Sequence, residues 1–417
     1  MSEINEKIGD NTQLRLNLGN TNKVIEYDHF TSTDLKKVPI LFRNTIAEIP
    51  STTYGTFSIY KYPAKFIPQV IAYVLKEYGK PGMKVFDPFA GYGTVGVVSR
   101  VYGYDYELWD LNPMIDTIHK SAIMDPVKVD VARLIKEIKN SEHEFMPDWS
   151  NLRYWFPEEF LSVLSKVWGF AHSLKDDMKY TLLIPLSKVT RFFSYSDEAV
   201  HKLYKSKYSK KKMEKLLDGD WKSGFYAMLE KEIMILLRKQ LDYHRLNPKM
   251  VNYNINSGID TLETKLDNDV NLLITSPPYL QAQEYIRSTK LELFWLGYAE
   301  SYIKSLSKRE IPYRDVKRIE IHSDKYYEYR DKITEDHLKV LYDRYFHAIL
   351  GVYSNLSENV RDYMFIFVSP AKIRTTPIPL DDIIVEHLSK LGWKHEVTFV
   401  DKIVSRVMFQ SPRGSDL

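Results

Sequence analysis

The 417-residue sequence contains no cysteine. Disulfide bonds and cysteine-based zinc sites are therefore excluded, and so is any mechanism that begins with a thiolate nucleophile. The HExxH pattern of zinc proteases and the GxSxG pattern of serine hydrolases are also missing. We predict that the protein holds no metal ion and that any chemistry it performs relies on other side chains.

Long apolar segments are absent as well. No hydrophobic run approaches the roughly 18 residues that a membrane-spanning helix needs, and the polar N-terminus lacks the apolar centre of a signal peptide. We expect a cytoplasmic protein with no membrane partner. Hydrophobic residues make up 44% of the chain, which is enough for a large core in one elaborated domain or in two.

A glycine-rich segment stands between a strand pattern and a helix pattern. Val85-Phe86 precede Asp87-Pro88-Phe89-Ala90-Gly91-Tyr92-Gly93-Thr94, and apolar residues at helical spacing follow as far as about Tyr102. A strand, a glycine loop and a helix in this order let the backbone approach a cofactor. The next strand pattern ends at Asp110, 19 residues after Gly91, where a carboxylate can accept hydrogen bonds from both hydroxyls of a ribose.

Several interpretations of this loop are open, including a glycine-rich turn without a cofactor. Gly91-x-Gly93-x-x-Gly96 matches the dinucleotide fingerprint, which would favour an NAD(P) oxidoreductase. A phosphate-binding P-loop is excluded because Val97 stands where lysine is required. Asp87 favours S-adenosylmethionine, a nucleoside cofactor without a pyrophosphate. A carboxylate at the end of the strand repels a pyrophosphate and attracts an ammonium or sulfonium group.

A second motif, Ser276-Pro277-Pro278-Tyr279, follows the apolar run 271–275, which predicts a buried strand. Two prolines cannot continue a strand in the middle of a sheet, so the strand must end in a rigid turn. Ligands of open α/β sheets bind beyond the carboxyl ends of the strands. The turn offers a hydroxyl, a free carbonyl and an aromatic ring, which suit an amino group on a flat ring. A turn that merely leads into a helix is the alternative.

Three segments together resemble the amino-group DNA methyltransferases, which use S-adenosylmethionine. Residues 60–68 resemble the N-terminal cofactor motif of that family, residues 87–94 its main cofactor loop, and residues 275–279 its catalytic motif. Serine before the two prolines is typical of enzymes that modify cytosine at N4, whereas adenine-N6 relatives more often have aspartate or asparagine. The cofactor loop precedes the catalytic motif, and many N4-cytosine enzymes have the opposite order, so the order does not decide the target atom.

The resemblance covers about residues 55–125 and 250–410 and implies an α/β fold with a Rossmann-like methyltransferase sheet. We expect the sheet to be mostly parallel, with a C-terminal antiparallel hairpin and a large helical insertion. The predicted parts are an N-terminal arm (1–50), a cofactor-binding part (51–126), the helical insertion (127–249) and a catalytic part (250–417) with a second insertion near 300–335. Further strands are expected at 250–255 and 364–368, and helices at 336–356 and 380–391.

The glycine loop and the resemblance together predict the cofactor contacts. Asp110 would hold the ribose, while the resemblance implies that Lys65 and Phe66 close over the methionine end and that Asp260 lies beside the adenine. The complete predicted set is Lys65, Phe66, Asp87, Pro88, Phe89, Ala90, Gly91, Gly93, Thr94, Asp110 and Asp260.

The predicted catalytic residues are Ser276, Pro277, Pro278 and Tyr279. The serine hydroxyl and the Pro277 carbonyl would accept hydrogen bonds from N4 of a cytosine flipped out of duplex DNA, and Tyr279 would stack on the base. Methylation at cytosine C5 is excluded because it needs a thiolate. Adenine N6, RNA and protein amides are alternative targets. By resemblance, the enzyme would protect DNA in a restriction-modification system beside a separate restriction endonuclease.

Positive charge is concentrated in one stretch, although the net charge is only +3. Residues 188–249 contain 15 Lys and Arg against 8 Asp and Glu, and lysine and tyrosine alternate between 201 and 212. Such a pattern can contact phosphates and stack on bases, or it can be a solvated helix end. We predict that this region binds double-stranded DNA, with contacts from Arg191, Lys202, Lys205, Lys207, Lys211 and, after the catalytic motif, Arg287.

Overall fold

The computed structural model describes residues 37–63, 65–280, 284–311 and 313–401. The strands are β1 (Lys37–Ile40), β2 (Lys84–Asp87), β3 (Asp105–Asp110), β4 (Tyr253–Ser257), β5 (Val270–Thr275), β6 (Val360–Ile366), β7 (Ala371–Ile373), β8 (Thr376–Ile378) and β9 (Thr398–Asp401). The helices are α1 (Phe42–Thr45), α2 (Pro68–Tyr78), α3 (Thr94–Tyr102), α4 (Met114–Ile123), α5 (Val131–Lys139), α6 (Leu152–Trp155), α7 (Glu158–Ser173), α8 (Asp176–Phe192), α9 (Lys207–Leu217), α10 (Trp221–His244), α11 (Tyr285–Trp295), α12 (Glu300–Lys308), α13 (Asp324–Asp331), α14 (Asp336–Ser357) and α15 (Leu380–Lys390). A 3₁₀ turn, Gly55–Ser58, precedes α2.

The central sheet has the strand order β4-β3-β2-β5-β6, and every neighbouring pair in it is parallel. This arrangement confirms the predicted α/β fold with a mostly parallel, Rossmann-like sheet. Strand β2 lies in the middle, with Val85 opposite Tyr106 of β3 and Leu272 of β5. Because parallel strands end at the same edge, the loop after β2, the end of β3 and the turn after β5 meet there.

Both faces of the sheet are buried. Side chains alternate along a strand, so Val85 and Leu272 belong to the core on one face, while Phe86 and Leu273 belong to the core on the other. The first core continues into α2, α3, α4 and the long helices that follow, and the second into α14 and α15. Strands covered on both faces are expected to be apolar throughout, which explains the continuous apolar run at β5.

The helices α5 to α10 lie between β3 and β4 in the chain, where the helical insertion is predicted. They share a core with the sheet, since Leu164, Trp168 and Leu229 belong to the same buried cluster as Val85. Helix α8 packs against both α4 and α10. The helical block therefore continues the main body, and its boundaries and role as a domain remain predictions.

Two strands differ in position from the sequence prediction. Strand β4 begins at Tyr253 rather than at Met250, and β6 spans Val360–Ile366 rather than 364–368. The start of β6 was predicted too late in the sequence, because the apolar run begins only after residue 363. The pairing of this edge strand with β5 already starts at Val360. An edge strand tolerates charged residues such as Arg361, which contacts Asp269.

The two ends of the described chain meet. Strand β1 pairs in parallel with β9, with Lys37 opposite Thr398. Part of the predicted N-terminal arm is thus attached to the body, and residues 1–36 lie outside the described residues. The antiparallel pair among the described residues is β7 with β8, ahead of α15. The predicted C-terminal hairpin extends past residue 401, outside the described residues.

Candidate active site

A cavity opens at the carboxyl ends of β2, β3 and β5, where ligands of open α/β sheets bind. The predicted cofactor residues on its wall are Lys65, Phe66, Asp87, Phe89, Ala90, Gly91, Asp110 and Asp260. The whole predicted catalytic turn, Ser276, Pro277, Pro278 and Tyr279, lines the same cavity. The fold therefore brings together two motifs that are about 180 residues apart in the sequence.

Asp87 joins the two motifs directly. The Thr275 hydroxyl donates to Asp87 Oδ1 at 2.6 Å, and the Phe89 backbone N–H donates to the same oxygen at 3.0 Å. Burial raises the pKa of the Asp87 carboxyl to about 7, although both hydrogen bonds act to lower it. This contact fixes the loop after β2 against the end of β5, at the point where the cavity begins.

The glycine loop has the backbone conformation that its sequence suggests. Gly91 and Gly93 have φ angles of +53° and +81°, a region that strains residues with a Cβ. A Cβ on Gly91 would also lie 3.2 Å from the ring of Tyr62. Tyr62 lines the cavity and was not among the predicted contacts. Tyr92 fixes the segment that leads to Tyr62, because the Tyr92 hydroxyl accepts a hydrogen bond from the Ile59 N–H at 2.9 Å.

Asp110 stands at the end of β3 with its carboxylate oriented by the backbone. Its Oδ2 accepts the Gly91 N–H at 2.6 Å, and its Oδ1 accepts the Asn112 N–H at 2.7 Å. Burial raises the pKa of Asp110 to about 6, against the lowering effect of these two bonds. Each carboxylate oxygen can accept a further hydrogen bond, so the geometry suits a pair of neighbouring hydroxyl groups.

Lys65 and Phe66 close one side of the cavity. The Lys65 ammonium donates to the carbonyls of Thr52, at 3.0 Å, and of Phe57, and burial lowers its pKa to about 8. The Phe66 ring packs against that of Phe367, with 5.2 Å between the ring centroids. Lys65 thus ties the 3₁₀ turn to the cavity wall.

Three predicted cofactor residues do not line the cavity in the described part of the chain. The Pro88 carbonyl accepts a hydrogen bond from the Thr261 hydroxyl at 2.8 Å. Gly93 is the residue before α3, and Thr94 is buried as its first residue. These residues shape the loop that carries Phe89 and Gly91.

Asp260, a predicted cofactor contact, lies on the cavity wall, and a neighbouring cation compensates its charge. Its Oδ2 is paired with the Arg314 guanidinium, and its Oδ1 accepts the Leu262 N–H at 3.2 Å. Arg314 also pairs with Glu263 at 2.6 Å. Arg314 lies in the predicted second insertion, which therefore contributes to the structure beside the cavity.

A second cavity, of about 1310 Å³, adjoins the first, and Glu310 lines both. Its wall includes Trp149, Tyr154, Trp155, Leu203, Glu284, Arg287, Lys290 and Tyr313. The indole and phenol rings come mainly from the segment around α6, and the two cations come from α11. Sequence reasoning missed Glu310 because it stands in the charged run 308–310, where no local pattern indicates burial.

Comparison with known proteins identifies two relatives. The chain is 24% identical over 392 residues to the type II methyltransferase M.MvaI of Kocuria varians, covering 83% of this chain and 84% of the relative. It is also 24% identical over 280 residues to the type II methyltransferase M.BsoBI of Geobacillus stearothermophilus, covering 60% of this chain and 54% of that relative. These similarities support the resemblance to the DNA methyltransferase family. No protein-family model matches this chain, and no solved structure matches it at comparable significance.

One predicted DNA contact needs correction. The Arg191 guanidinium forms two hydrogen bonds with the Glu292 carboxylate, at 2.6 and 2.7 Å, and a third with the Ser288 carbonyl at 2.5 Å. The Glu292 side chain is 0% exposed and that of Arg191 is 17% exposed. Arg191 therefore joins α8 to α11 within the body and is not placed to contact a phosphate.

The other predicted DNA contacts lie on the surface, in three environments. Lys207 and Lys211 are exposed on α9. Lys205 donates to the Tyr154 carbonyl at 2.9 Å and lies 3.6 Å from the ring centre of Tyr195. A further group is formed by Lys202 and Arg287, which both pair with Glu284, at 3.9 and 2.9 Å. That group stands at the second cavity.

The described residues include no helix long and apolar enough to cross a membrane. They also contain no cluster of three His, Asp or Glu residues arranged to hold a metal ion.

Proposed function

We propose that this protein is a site-specific DNA methyltransferase of a restriction-modification system. It would transfer a methyl group from S-adenosylmethionine to the exocyclic amino group of a base in double-stranded DNA, with cytosine N4 as the preferred target. One observation carries the proposal: the glycine loop and the Ser276-Pro277-Pro278-Tyr279 turn line a single cavity. The names of both relatives agree with it.

The groups on the cavity wall fit the proposed cofactor. S-adenosylmethionine supplies a methyl group that is already activated by its sulfonium charge. Asp110 would accept hydrogen bonds from the ribose hydroxyls, and the rings of Tyr62, Phe66 and Phe89 would exclude water from the apolar parts. Asp87 would complement positive charge at the end of β2. A dinucleotide would instead bring a pyrophosphate close to these carboxylates, so the NAD(P) oxidoreductase is not proposed.

The catalytic turn would act on the amino group of the target base. The lone pair of that nitrogen is delocalised into the ring, which makes it a weak nucleophile. The Ser276 hydroxyl and the Pro277 carbonyl would accept its two N–H groups and favour a more tetrahedral nitrogen. Tyr279 would stack on the ring and hold it in position. Positioning and preorganised acceptors would supply most of the rate enhancement.

Cytosine N4 is preferred over adenine N6 because of Ser276, and adenine is the alternative target of the same geometry. The amino group of either base is inaccessible within a duplex, so the nucleotide must be flipped out at a cost of a few kcal/mol. The second cavity adjoins the one that the catalytic turn lines, and it carries aromatic rings and cations, which suit stacking on bases and contact with phosphates. We assign DNA to this side of the molecule. A separate restriction endonuclease would recognise the same sequence.

The decisive experiment incubates the protein with labelled S-adenosylmethionine and duplex DNA of mixed sequence. We expect labelled N4-methylcytosine after digestion of the DNA. Labelled N6-methyladenine would show instead that adenine N6 is the target. RNA and protein acceptors are tested in parallel. No labelled base in DNA, with label in one of the other acceptors, would contradict the proposed function.

The Ser276→Ala variant tests the role of the hydroxyl. We expect turnover to fall at least about tenfold because one of the two preorganised acceptors is lost. The affinity for S-adenosylhomocysteine, measured by calorimetry, should stay within about twofold. Ser162→Ala serves as the control, because Ser162 is exposed on α7 and does not line the cavity. Equal losses of turnover and cofactor affinity would assign Ser276 to cofactor binding instead.

A further inference from the structure

We propose that Glu310 is a further catalytic residue, which accepts the proton that the target amino group must release during methylation. This inference rests on the proposed function and adds a step that the catalytic turn cannot perform. The Ser276 hydroxyl and the Pro277 carbonyl can accept hydrogen bonds, but both are far weaker bases than a carboxylate. A residue able to retain the proton has to be found elsewhere on the cavity wall.

Glu310 has the required position. It follows α12 and is the residue that the two cavities have in common among the described residues. One cavity holds the catalytic turn, and the other is a polar space toward the surface. Glu310 is only 7% exposed, so the two spaces meet at a nearly buried carboxyl. A group at this junction can take a proton from one side and release it to solvent on the other.

The surroundings leave Glu310 without a compensating charge. Its Oε1 accepts the Ile286 N–H at 2.9 Å, at the start of α11, and no ion pair joins it to a described Lys, Arg or His. By contrast, the neighbouring Glu284 pairs with Arg287 and Lys202, and Asp260 pairs with Arg314. These carboxylates have cations that keep them ionised, whereas Glu310 can exchange a proton without breaking an ion pair.

The other two carboxyls at the cavity are less suitable. Asp87 is 2% exposed and is fixed between Thr275 and Phe89. Asp110 is held by the backbone of Gly91 and Asn112 and is assigned to the ribose. Neither lines the second cavity among the described residues, so neither has the route to solvent that Glu310 has.

The acid–base properties of Glu310 agree with this position. Burial raises its pKa to about 7, with a further increase from the charges of Glu284 and Asp110 and a decrease from the backbone hydrogen bonds. A base is most effective when its pKa lies near the working pH. The titratable and charged groups that share the first cavity with it are Tyr62, Lys65, Asp87, Tyr92, Asp110, Asp260, Tyr279, Tyr285 and Arg309. Those that share the second cavity are Tyr154, Glu284, Arg287, Lys290 and Tyr313.

The amino nitrogen forms a bond to the methyl carbon with its lone pair, while the sulfur keeps the electron pair of the broken S–C bond. The nitrogen thereby gains a positive charge and loses one N–H proton to the Glu310 carboxylate. The protonated carboxyl then releases the proton to solvent through the second cavity, and Glu310 returns to its ionised form.

The test compares wild type with Glu310→Gln in single-turnover methylation of duplex DNA between about pH 5.5 and pH 8.5. Glutamine retains an acceptor for the Ile286 N–H and loses the ionisable group. We expect the rate to fall about 100-fold or more. The wild-type rate should rise with pH around a midpoint of about 7, and the variant should lack that rise. Binding of S-adenosylhomocysteine and of DNA should be unchanged, and Glu358→Gln, at an exposed helix end, should behave as wild type.

Several outcomes would overturn the inference. A Glu310→Gln rate within about threefold of wild type, with the same rise with pH, would show that Glu310 only caps α11. If Glu310→Gln fails to fold, Glu310→Asp decides: a retained rise with pH supports the proposal, and its loss in a folded Asp variant contradicts it. Absence of methylation by the wild-type protein would remove the proposed function and this inference with it, whereas failure of the variants alone leaves the proposed function intact.

Discussion

Arg191 and Glu292 form a buried ion pair, with two hydrogen bonds that connect α8 to α11. Helix α11 begins shortly after the catalytic turn and contributes Tyr285 and Ile286 to the cavity. A carboxylate that is 0% exposed is costly without a partner. The pair therefore fixes a helix that lines the proposed active site.

We predict that Arg191→Met lowers the free energy of unfolding by about 3 to 5 kcal/mol, because it leaves the Glu292 charge buried and unpaired. Chemical denaturation measures the change. Arg361→Met serves as the control, because its pair with Asp269 is half exposed and should contribute less than about 1 kcal/mol. A loss of DNA affinity in Arg191→Met at unchanged stability would restore Arg191 to the DNA contacts.

Single residues differ in how well the sequence predicts them. Ser276 and Gly91, which line the cavity, could be singled out because a proline pair and a glycine pattern restrict the backbone wherever they occur. Glu310 was not singled out and Arg191 was predicted to contact DNA, because a charged residue in a charged stretch gives no local sign of burial. Their environments come from α11, which is distant from Arg191 in the sequence. Such placement is decided by tertiary packing.

At the scale of single elements, α9 presents the positive charge in the form that a DNA interface needs. It begins with a capping box in which Ser206 and Ser209 exchange hydrogen bonds. Met213, on the inner face of α9, is buried, while Lys207 and Lys211 are exposed to solvent. The capping box and the buried methionine fix the helix on the body, so that its exposed lysines form a surface rather than a mobile tail.

We predict that replacing Lys207 and Lys211 with alanine lowers the slope of log affinity against log salt concentration by about 2, because each lost phosphate contact removes about 0.9. Fluorescence anisotropy with duplex DNA at several salt concentrations measures the slope. The matched control replaces Lys390 and Lys394 with alanine, because both are exposed and neither belongs to α9. An unchanged slope would remove α9 from the interface.

Elements were predicted best where one local rule dominates. The bounds of α14 and α15 follow from helical spacing, and the end of β5 follows from the two prolines. The start of β6 was missed because its pairing with β5, which sets the start, is not visible in the local pattern. The pairing of β1 with β9 was missed for the same reason, since it joins segments at opposite ends of the described chain.

At the scale of the whole molecule, aromatic rings join the two chain ends. The ring of Phe399 in β9 lies 6.0 Å from that of Phe42 and 5.4 Å from that of Tyr73, centroid to centroid. The same small core includes Phe66, which lines the first cavity. The closure of the chain ends therefore supports one wall of the proposed active site.

We predict that Phe399→Ala lowers the free energy of unfolding by about 2 kcal/mol, below the range for a fully buried phenylalanine because this ring is half-buried. In a double-mutant cycle with Phe42→Ala, the coupling energy should be about 1 kcal/mol. Chemical denaturation of the two single variants and the double variant gives all the required values. Strictly additive losses would show that the two ends are stabilised independently.

The adjacency of β2 and β5 in the sheet also has a consequence during translation. The ribosome completes β2 and the six helices from α5 to α10 before it reaches β5. Until then, one side of β2 has no partner strand, and Asp87 lacks the hydroxyl of Thr275. An open strand edge can pair with another chain. Nascent chains that stall within the helical block should therefore be prone to aggregation and depend on chaperones.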